Sequence, residues 1–356
     1  MSKVAYALVG FGGIAENRIS REGFCMDRTR FAPHENAELV GVHDANPARK
    51  IPAQSLGLRW YETLEELLAD PRVQAVFITT DNLSHGPMAE KALQAGKHCL
   101  VEKPIATTLP EARLLQDLAQ RKGLSLAVDH MMRENAFNVR AGEMTRDGSL
   151  GKVNDITTHM EFLYGATDEE AGTWRCADPR QLGGPIGDVG SHCLYMAEFM
   201  MGSPITSVAC AYYPKTLKIN VEDGALVQFQ FASGGRGSAR VAFNCARGGQ
   251  GGTLTNLGYE IYGDQATLRG FATMFQLSGL PGEPVEVRLE LDRAGRTSVI
   301  EPGAVVDIYA RSVARHAASI LAGTRMDGKD AVHNLALILA CHESAQKAGQ
   351  AVAPLF

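Results

Sequence analysis

The first third of the chain alternates short apolar runs with segments of helical periodicity. The apolar runs predict five strands, at residues 4–9, 39–43, 75–79, 98–101 and 124–128. Helices are predicted between them, and two of these begin with a capping-box pattern, Thr63 with Glu66 and Thr108 with Glu111. Because strands alternate with helices, we expect a parallel, doubly wound sheet of the α/β class.

The pattern changes after residue 128, where strand-like segments follow one another with few helices between them. These segments are 153–162, 205–213, 224–231, 237–244, 259–262, 266–269 and 285–291. Helices are predicted at 136–146, 309–321 and 331–347, and the glycine-rich runs 234–237 and 248–252 are expected to form turns or loops. This part of the chain therefore predicts an α+β domain with an open, mostly antiparallel sheet.

A chain of 356 residues suits two domains, which we place at residues 1–128 and 129–356, the second of which includes C-terminal helices that pack back. The formal net charge of −5 gives no reason to expect nucleic acid as a partner. Neither a run long enough to span a bilayer nor a signal-peptide pattern is present, so we expect no membrane contact.

The seven cysteines are scattered, odd in number and without a Cys-x-x-Cys pair. This usage is typical of reduced thiols rather than of a disulfide framework or a metal site, and it favours a cytoplasmic location without a bound metal.

A glycine-rich turn directly follows the first predicted strand and opens a predicted helix. It comprises Gly10, Gly12, Gly13, Ile14 and Ala15. The glycines allow a tight turn and a close approach of the backbone to a pyrophosphate, and the helix N-terminus favours negative charge. An ordinary strand-to-helix turn is the alternative, but the position after strand one favours a Rossmann dinucleotide-binding domain.

Asp44 ends the second predicted strand. A carboxylate there accepts hydrogen bonds from the adenosine ribose hydroxyls and repels a 2′-phosphate, which favours NAD over NADP. The spacing from Ala15 is long, and we attribute the excess to an insertion at 21–35. Arg49 lies near enough to bind a phosphate, so NADP stays open as the cofactor.

Two further patterns suggest acid–base chemistry. Asp188 and His192 are four residues apart after a glycine-rich turn, so on a helix they share one face. An imidazole exchanges a proton near neutral pH, and a carboxylate beside it can hold a polar substrate. Lys103 follows the strand at 98–101, where its ammonium could polarise a substrate oxygen. A solvated helix face and an exposed lysine are the plain alternatives.

Together these motifs resemble the Gfo/Idh/MocA family of oxidoreductases over nearly the whole chain. The resemblance is carried by the glycine turn, the segment 79–85, Glu102-Lys103-Pro104, Trp174-Arg175, the segment 183–192 and the segment 259–263. It implies a Rossmann domain, a second sheet domain through which copies form dimers or tetramers, and Lys103, Asp188 and His192 at the catalytic centre. It also implies a cofactor site lined by Thr80, Asn82, His85, Glu102 and Arg175.

The chain departs from the family pattern near the expected substrate pocket. Tyr195 stands where members often carry Asp, the glycine run is framed by Leu182 and Pro185, and the segment 129–133 replaces a run usually rich in Asn and Arg. These departures concern the identity of the substrate rather than the hydride chemistry.

Four more residues are candidates for substrate contact: His130, His159, Tyr164 and Trp174. The two histidines are about as well explained as structural residues, and the two aromatic residues as core or interface packing.

The expected activity is NAD-dependent oxidation of a secondary hydroxyl of a sugar, glycoside or cyclitol, with C3 of a glucose-like unit favoured by the resemblance, or the reverse reduction. The alternatives are an NAD-requiring glycosidase with net hydrolysis and a non-catalytic cofactor-binding sensor. The expected partners are a small sugar substrate and further copies of the chain, as a homodimer or homotetramer.

Overall fold

The computed structural model describes residues 2–245 and 256–355 and divides into two compact units. The first unit comprises Met1–Met131 and Tyr309–Val332, and the second comprises Met132–Ile308 and His333–Phe356. The glycine-rich run 248–252, predicted as a turn or loop, lies outside the described residues.

Fourteen strands are formed by the described residues. They are β1 (Val4–Val9), β2 (Ala37–His43), β3 (Arg59–Trp60), β4 (Ala75–Ile78), β5 (His98–Val101), β6 (Leu126–Val128), β7 (Val153–Glu161), β8 (Ile205–Tyr212), β9 (Gly224–Phe231), β10 (Arg236–Ala242), β11 (Leu257–Gly263), β12 (Thr267–Phe271), β13 (Arg288–Arg293) and β14 (Arg296–Val299).

The regular α-helices are α1 (Lys50–Ser55), α2 (Leu64–Ala69), α3 (Asn82–Gln94), α4 (Leu109–Lys122), α5 (Ala136–Arg146), α6 (Asp168–Ala171), α7 (Trp174–Ala177), α8 (Ser191–Met201), α9 (Ile308–Leu321) and α10 (Lys329–Gln346). Two wider, π-type helices span Ala15–Gly23 and Ile186–Gly190. Short 3₁₀ turns cover Pro47–Arg49, Met131–Glu134 and Pro179–Gln181. Within the described ranges, no helix has both the length and the apolar character that crossing a membrane requires.

The first unit contains a six-stranded parallel sheet in the order β3-β2-β1-β4-β5-β6. This order confirms the predicted Rossmann fold. Every residue of β1 and of β4 is buried, as expected for strands that are covered on both faces. The order reverses between β1 and β4, and in open α/β sheets a ligand binds at the carboxyl ends of the strands near such a point.

The predicted helix starts are largely confirmed in this unit. The side chains of Thr63 and Thr108 accept hydrogen bonds from the backbone N–H groups of Glu66 and Glu111, at 3.1 and 3.4 Å. Helix α3 begins at Asn82, directly after the segment that follows β4. Its interior Pro87 resembles a helix break in sequence, but the helix continues through it.

Residues 309–332 belong to the first unit, whereas the sequence assigned all of 129–356 to the second domain. The Tyr6 hydroxyl hydrogen bonds to Nδ1 of His316 at 2.8 Å, and Ser312 donates to the buried carboxylate of Asp129 at 2.5 Å. Burial lowers the pKa of His316 to about 3, so its neutral ring can accept the tyrosine hydrogen. The segment therefore completes the core beside β1 and β6.

The second unit contains an eight-stranded sheet in the order β14-β13-β12-β11-β7-β10-β9-β8. Only β7 and β10 pair in parallel, which confirms the mostly antiparallel sheet. Helix α8 packs on one face, where Cys193 hydrogen bonds to the buried Thr158 of β7. Since side chains alternate along a strand, His159 and Glu161 point to the opposite face.

Candidate active site

In the first unit the predicted functional residues lie at one edge of the sheet. Gly10 follows β1, Asp44 follows β2, Thr80 follows β4 and Glu102 with Lys103 follow β5. Because these strands are parallel, their carboxyl ends share this edge, which is where an open α/β sheet binds its ligand.

The glycine turn combines one tightly packed position with two open ones. Gly10 has φ of +95°, and a Cβ built on it would lie 2.9 Å from the carbonyl of Thr79 and from the N of Thr80. A Cβ built on Gly12 or Gly13 would have no neighbour within 4 Å. The backbone there is thus free of side chains at the start of a helix, and it fits the pyrophosphate of a dinucleotide.

Asp44 and Arg49 both contact the glycine turn. The Asp44 carboxylate accepts hydrogen bonds from the N–H groups of Phe11 and Asn46, at 2.5 and 2.7 Å. Arg49 donates to the carbonyl oxygen of Phe11 and to the Glu16 carboxylate, each at 2.5 Å. Arg49, the side chain that could bind a 2′-phosphate, is therefore paired with Glu16 of the same unit.

His85 is enclosed by backbone carbonyl groups. Its Nδ1 lies 2.7 Å from the Pro104 oxygen, and its Nε2 lies 3.2 Å from the Thr80 oxygen. Burial lowers the pKa of His85, so the ring is neutral and has one N–H to donate. The imidazole links α3 to the segment that carries Lys103, and a direct contact with the cofactor stays a prediction.

In the second unit, Asp188 and His192 lie on one continuous helical segment. Asp188 is in the wide turn Ile186–Gly190, and His192 is in the first turn of α8. Two glycines make this turn possible: a Cβ on Gly187 would overlap the carbonyl oxygen of Leu182, and a Cβ on Gly183 would overlap the backbone of Arg175. The spacing predicted a regular α-helical turn, and the structure has a wider one.

Asp188 is part of a cluster that also contains Tyr164, Trp174 and Arg175. Nε of Arg175 lies 3.4 Å from Oδ1 of Asp188, and the guanidinium group is 4.5 Å from the Trp174 ring centroid. Tyr164 also hydrogen bonds to Arg175. Burial acts to lower the pKa of Arg175, but the charges and hydrogen bonds of Asp188 and Tyr164 together outweigh it, and the pKa is raised. Asp188 is thus held beside the guanidinium group, and its carboxylate oxygens are acceptors that could hold a substrate hydroxyl.

His159 and His192, two of the candidate histidines, do not lie at one site. His192 is buried at 5% exposure on α8, whereas His159 points to the other sheet face. There His159 lines a cavity of about 310 Å³ together with Glu161, Glu260 and Arg269. His159 is therefore separated from His192 by the sheet. His130 is buried in the first unit, two residues after the end of β6.

Tyr195 and Arg133, both at positions where this chain departs from the family pattern, contact each other. Nη1 of Arg133 donates a hydrogen bond to the Tyr195 hydroxyl at 2.7 Å. The sequence separates them by 62 residues, so no local pattern could reveal the pair.

Sequence reasoning also missed Glu222. Its Oε1 accepts a hydrogen bond from the backbone N–H of Ile186 at 2.8 Å, at the start of the helical segment that carries Asp188. Glu222 lies between β8 and β9 in no recognisable motif, and only the folded chain brings it to this turn.

These features define an oxidoreductase-type protein with a dinucleotide-binding Rossmann unit and a separate sheet unit. A family model described as an oxidoreductase family with an NAD-binding Rossmann fold matches residues 4–130, and the model of the GFO/IDH/MocA C-terminal domain matches residues 139–269. The chain belongs to the GFO/IDH/MocA oxidoreductase family, and its first unit is an NAD-binding Rossmann fold.

Several proteins are similar to this chain. It is 30% identical over 216 residues to 1,5-anhydro-D-fructose reductase of Ensifer adhaerens, covering 60% of this chain and 62% of that one. It is 27% identical over 198 residues to glucose-6-phosphate 3-dehydrogenase of Bacillus subtilis, covering 55% and 53%. Each alignment thus spans less than two thirds of the relative. A levoglucosan dehydrogenase solved with NADH and levoglucosan shares the fold, with a TM-score of 0.81, 19% identity and full coverage of both chains.

The glycine turn generates a prediction with a matched pair of variants. Gly10→Ala should lower the free energy of unfolding by about 1–3 kcal/mol, because its φ is positive and its Cβ would meet backbone atoms. Gly12→Ala should leave stability unchanged but weaken NADH binding, because its Cβ enters the space left for the pyrophosphate.

Thermal unfolding and a fluorescence titration with NADH measure the two effects. Wild-type NADH affinity in Gly12→Ala would contradict a pyrophosphate site at this turn.

Proposed function

We propose that this protein is an NAD-dependent dehydrogenase that oxidises a secondary hydroxyl of a sugar, glycoside or cyclitol to a ketone, or catalyses the reverse reduction. The observation that carries the proposal is the helical segment in which Asp188 pairs with Arg175 and His192 follows four residues later. The relatives described above are named for sugar substrates, which supports this substrate class. Within it we favour C3 of a glucose-like unit.

The residues divide the chemistry between them. When bound, the cofactor supplies a nicotinamide ring that accepts a hydride from the carbinol carbon. His192 is the general base that takes the hydroxyl proton. The Lys103 ammonium polarises the hydroxyl oxygen and stabilises its alkoxide character. Asp188, held by Arg175, accepts hydrogen bonds from neighbouring hydroxyls and orients the ring.

The cofactor is held at the carboxyl edge of the parallel sheet. Gly10, Gly12 and Gly13 form the pyrophosphate turn, and Ile14 and Ala15 open the helix behind it. In this proposal the side chains of Asp44, Thr80, Asn82, His85 and Glu102 complete the part of the site that the first unit supplies.

Assembly and location belong to the same proposal. The sheet face opposite α8 presents the polar side chains of Thr157, His159, Arg240, Glu260 and Arg269, which suits a contact between copies of the chain as a homodimer or homotetramer. The seven cysteines form no disulfide among the described residues, which supports a cytoplasmic location.

A substrate screen tests the proposed function. The protein is incubated with NAD and a panel of sugars, glycosides and inositols, and NADH absorbance is followed. We expect NADH to accumulate while glycosides stay intact. Release of free sugar without NADH would indicate hydrolysis instead, and cofactor binding without either product would indicate a sensor.

The catalytic assignment predicts separate effects on turnover and on cofactor binding. Lys103→Ala and His192→Ala should each lower kcat by about 10²–10⁴-fold, because each removes a group that acts at the reacting hydroxyl. NADH affinity should stay at the wild-type value. Lys122→Ala, which removes an exposed lysine of the first unit, is the control. Near-normal turnover in either site variant would refute the role assigned to that residue.

The cofactor assignment predicts a change of preference in Asp44→Asn. The amide oxygen can still accept from the Phe11 N–H, while the negative charge that faces a 2′-phosphate is lost. We expect the ratio of kcat/KM for NAD to that for NADP to fall by about 10-fold or more, since removing a close repulsive charge changes binding by about 1–3 kcal/mol.

Steady-state kinetics with both cofactors measures this ratio, and Glu65→Ser removes an exposed charge of the same unit as the control. A wild-type protein that uses NADP more efficiently would contradict the role of Asp44.

A further inference from the structure

A tightly built loop, residues 213–223, stands behind the Asp188 cluster. At its end the buried carboxylate of Asp223 accepts hydrogen bonds from Thr216 and from the N–H of Leu217 (2.7 Å). Nζ of Lys215 lies 2.6 Å from the same carboxylate. The loop is therefore closed on itself by a buried charge, and it can act as a fixed support. We call it the buttress loop.

The buttress loop contacts the chain on both sides of the Arg175–Asp188 ion pair. Next to Arg175, the backbone N–H of Asn220 donates to the Cys176 oxygen at 2.8 Å, and its side-chain amide donates to the Ala177 oxygen at 2.9 Å. On the Asp188 side, the contact is made by Glu222. One loop thus contacts the backbone directly after Arg175 and the backbone two residues before Asp188.

The Glu222 contact is specific. Its Oε1 accepts from the Ile186 N–H at 2.8 Å, which satisfies a donor at the start of the helical segment. A Cβ built on Gly184 would lie 2.8 Å from the same oxygen, and Gly184 has φ of +69°. The glycine run is therefore shaped around this carboxylate.

We propose that Glu222 is a positioning residue that holds the turn carrying Asp188, and through the same helical segment His192, in its reactive geometry. This inference rests on the proposed dehydrogenase function. Glu222 touches no reacting atom; it acts through the Ile186 N–H and through the shape of the turn at Gly184.

The charge of Glu222 changes in the neutral pH range. Burial raises its pKa to about 7, and the hydrogen bond from Ile186 opposes that shift. Lys215 favours the ionised form and Asp223 disfavours it. Tyr212 on β8 and Cys341 on α10 also face Glu222. Burial raises the pKa of Tyr212, and a hydrogen bond with Cys210 together with burial raises the pKa of the Cys341 thiol. Both groups are therefore neutral near pH 7.

Ionisation strengthens the hydrogen bond that holds the turn, because an ionised acceptor forms a stronger hydrogen bond than a neutral one. As pH falls through about 7, Glu222 gains a proton and its hold on the Ile186 N–H weakens. Stability has the opposite dependence: the raised pKa means that the folded state binds the proton more tightly, so this group's contribution to stability falls as pH rises from about 4.5 to 7.

The test compares wild type with Glu222→Gln and Glu222→Ala. The glutamine keeps an oxygen acceptor for Ile186 without titrating, and the alanine removes the contact. Glu301→Gln, at an exposed glutamate of the same unit, is the control. Three quantities are measured: kcat/KM for sugar oxidation between pH 6 and 8, NADH affinity, and hydrogen exchange of the amides at 183–192.

We expect Glu222→Ala to lower kcat/KM by about 10–100-fold with NADH affinity unchanged, because small misplacements of catalytic groups have large effects. Its amides at 183–192 should exchange faster. At pH 8 the wild type should exceed Glu222→Gln by several-fold, and this ratio should approach one at pH 6, where the wild-type carboxyl is itself protonated.

Wild-type kcat/KM in Glu222→Ala would overturn the proposal, as would unchanged exchange at 183–192 in that variant. If the wild type forms no NADH with any sugar, the dehydrogenase function fails, and amide exchange alone then decides whether Glu222 holds this turn.

Discussion

The absence of side chains at Gly183 and Gly187 is the constraint on which the site of the second unit depends. Without a Cβ at these positions, the backbone of one turn lies directly against the carbonyl group of Leu182 and the backbone of Arg175. That close approach brings Asp188 to the guanidinium group. Because both groups are fixed by backbone packing, the substrate-orienting role that we propose for Asp188 needs no reorganisation of its carboxylate during the reaction.

Periodicity and local motifs predicted most of the architecture. The buried strands of both sheets gave clear apolar signals, and α5 was predicted with the bounds that the structure has, Ala136–Arg146. The glycine turn was recognisable because its chemistry is local: Gly10 needs its positive φ and its close contact directly after β1. The pairing of Asp188 with Arg175, by contrast, depends on a contact across 13 residues and was not predicted.

Other elements left no readable local signal. Strands β3 and β14 are short, and β14 is exposed throughout, so neither shows the alternation that indicates a strand. The face on which His159 lies is set by the packing of α8 on Thr158, which a list of polar residues cannot show. Glu222 reaches Ile186 across 36 residues, and its role depends on the shape of a loop rather than on a motif.

The return of residues 309–332 to the first unit has a consequence for synthesis on the ribosome. Tyr6 and His316 are 310 residues apart in the chain, so their hydrogen bond forms only when nearly the whole protein has been made. Until then the strand that carries Tyr6 lacks part of its cover, and the nascent first unit exposes apolar surface. Such distant pairings slow folding, because a long loop must close before its contacts stabilise the product. The N-terminal unit is thus begun first but finished late.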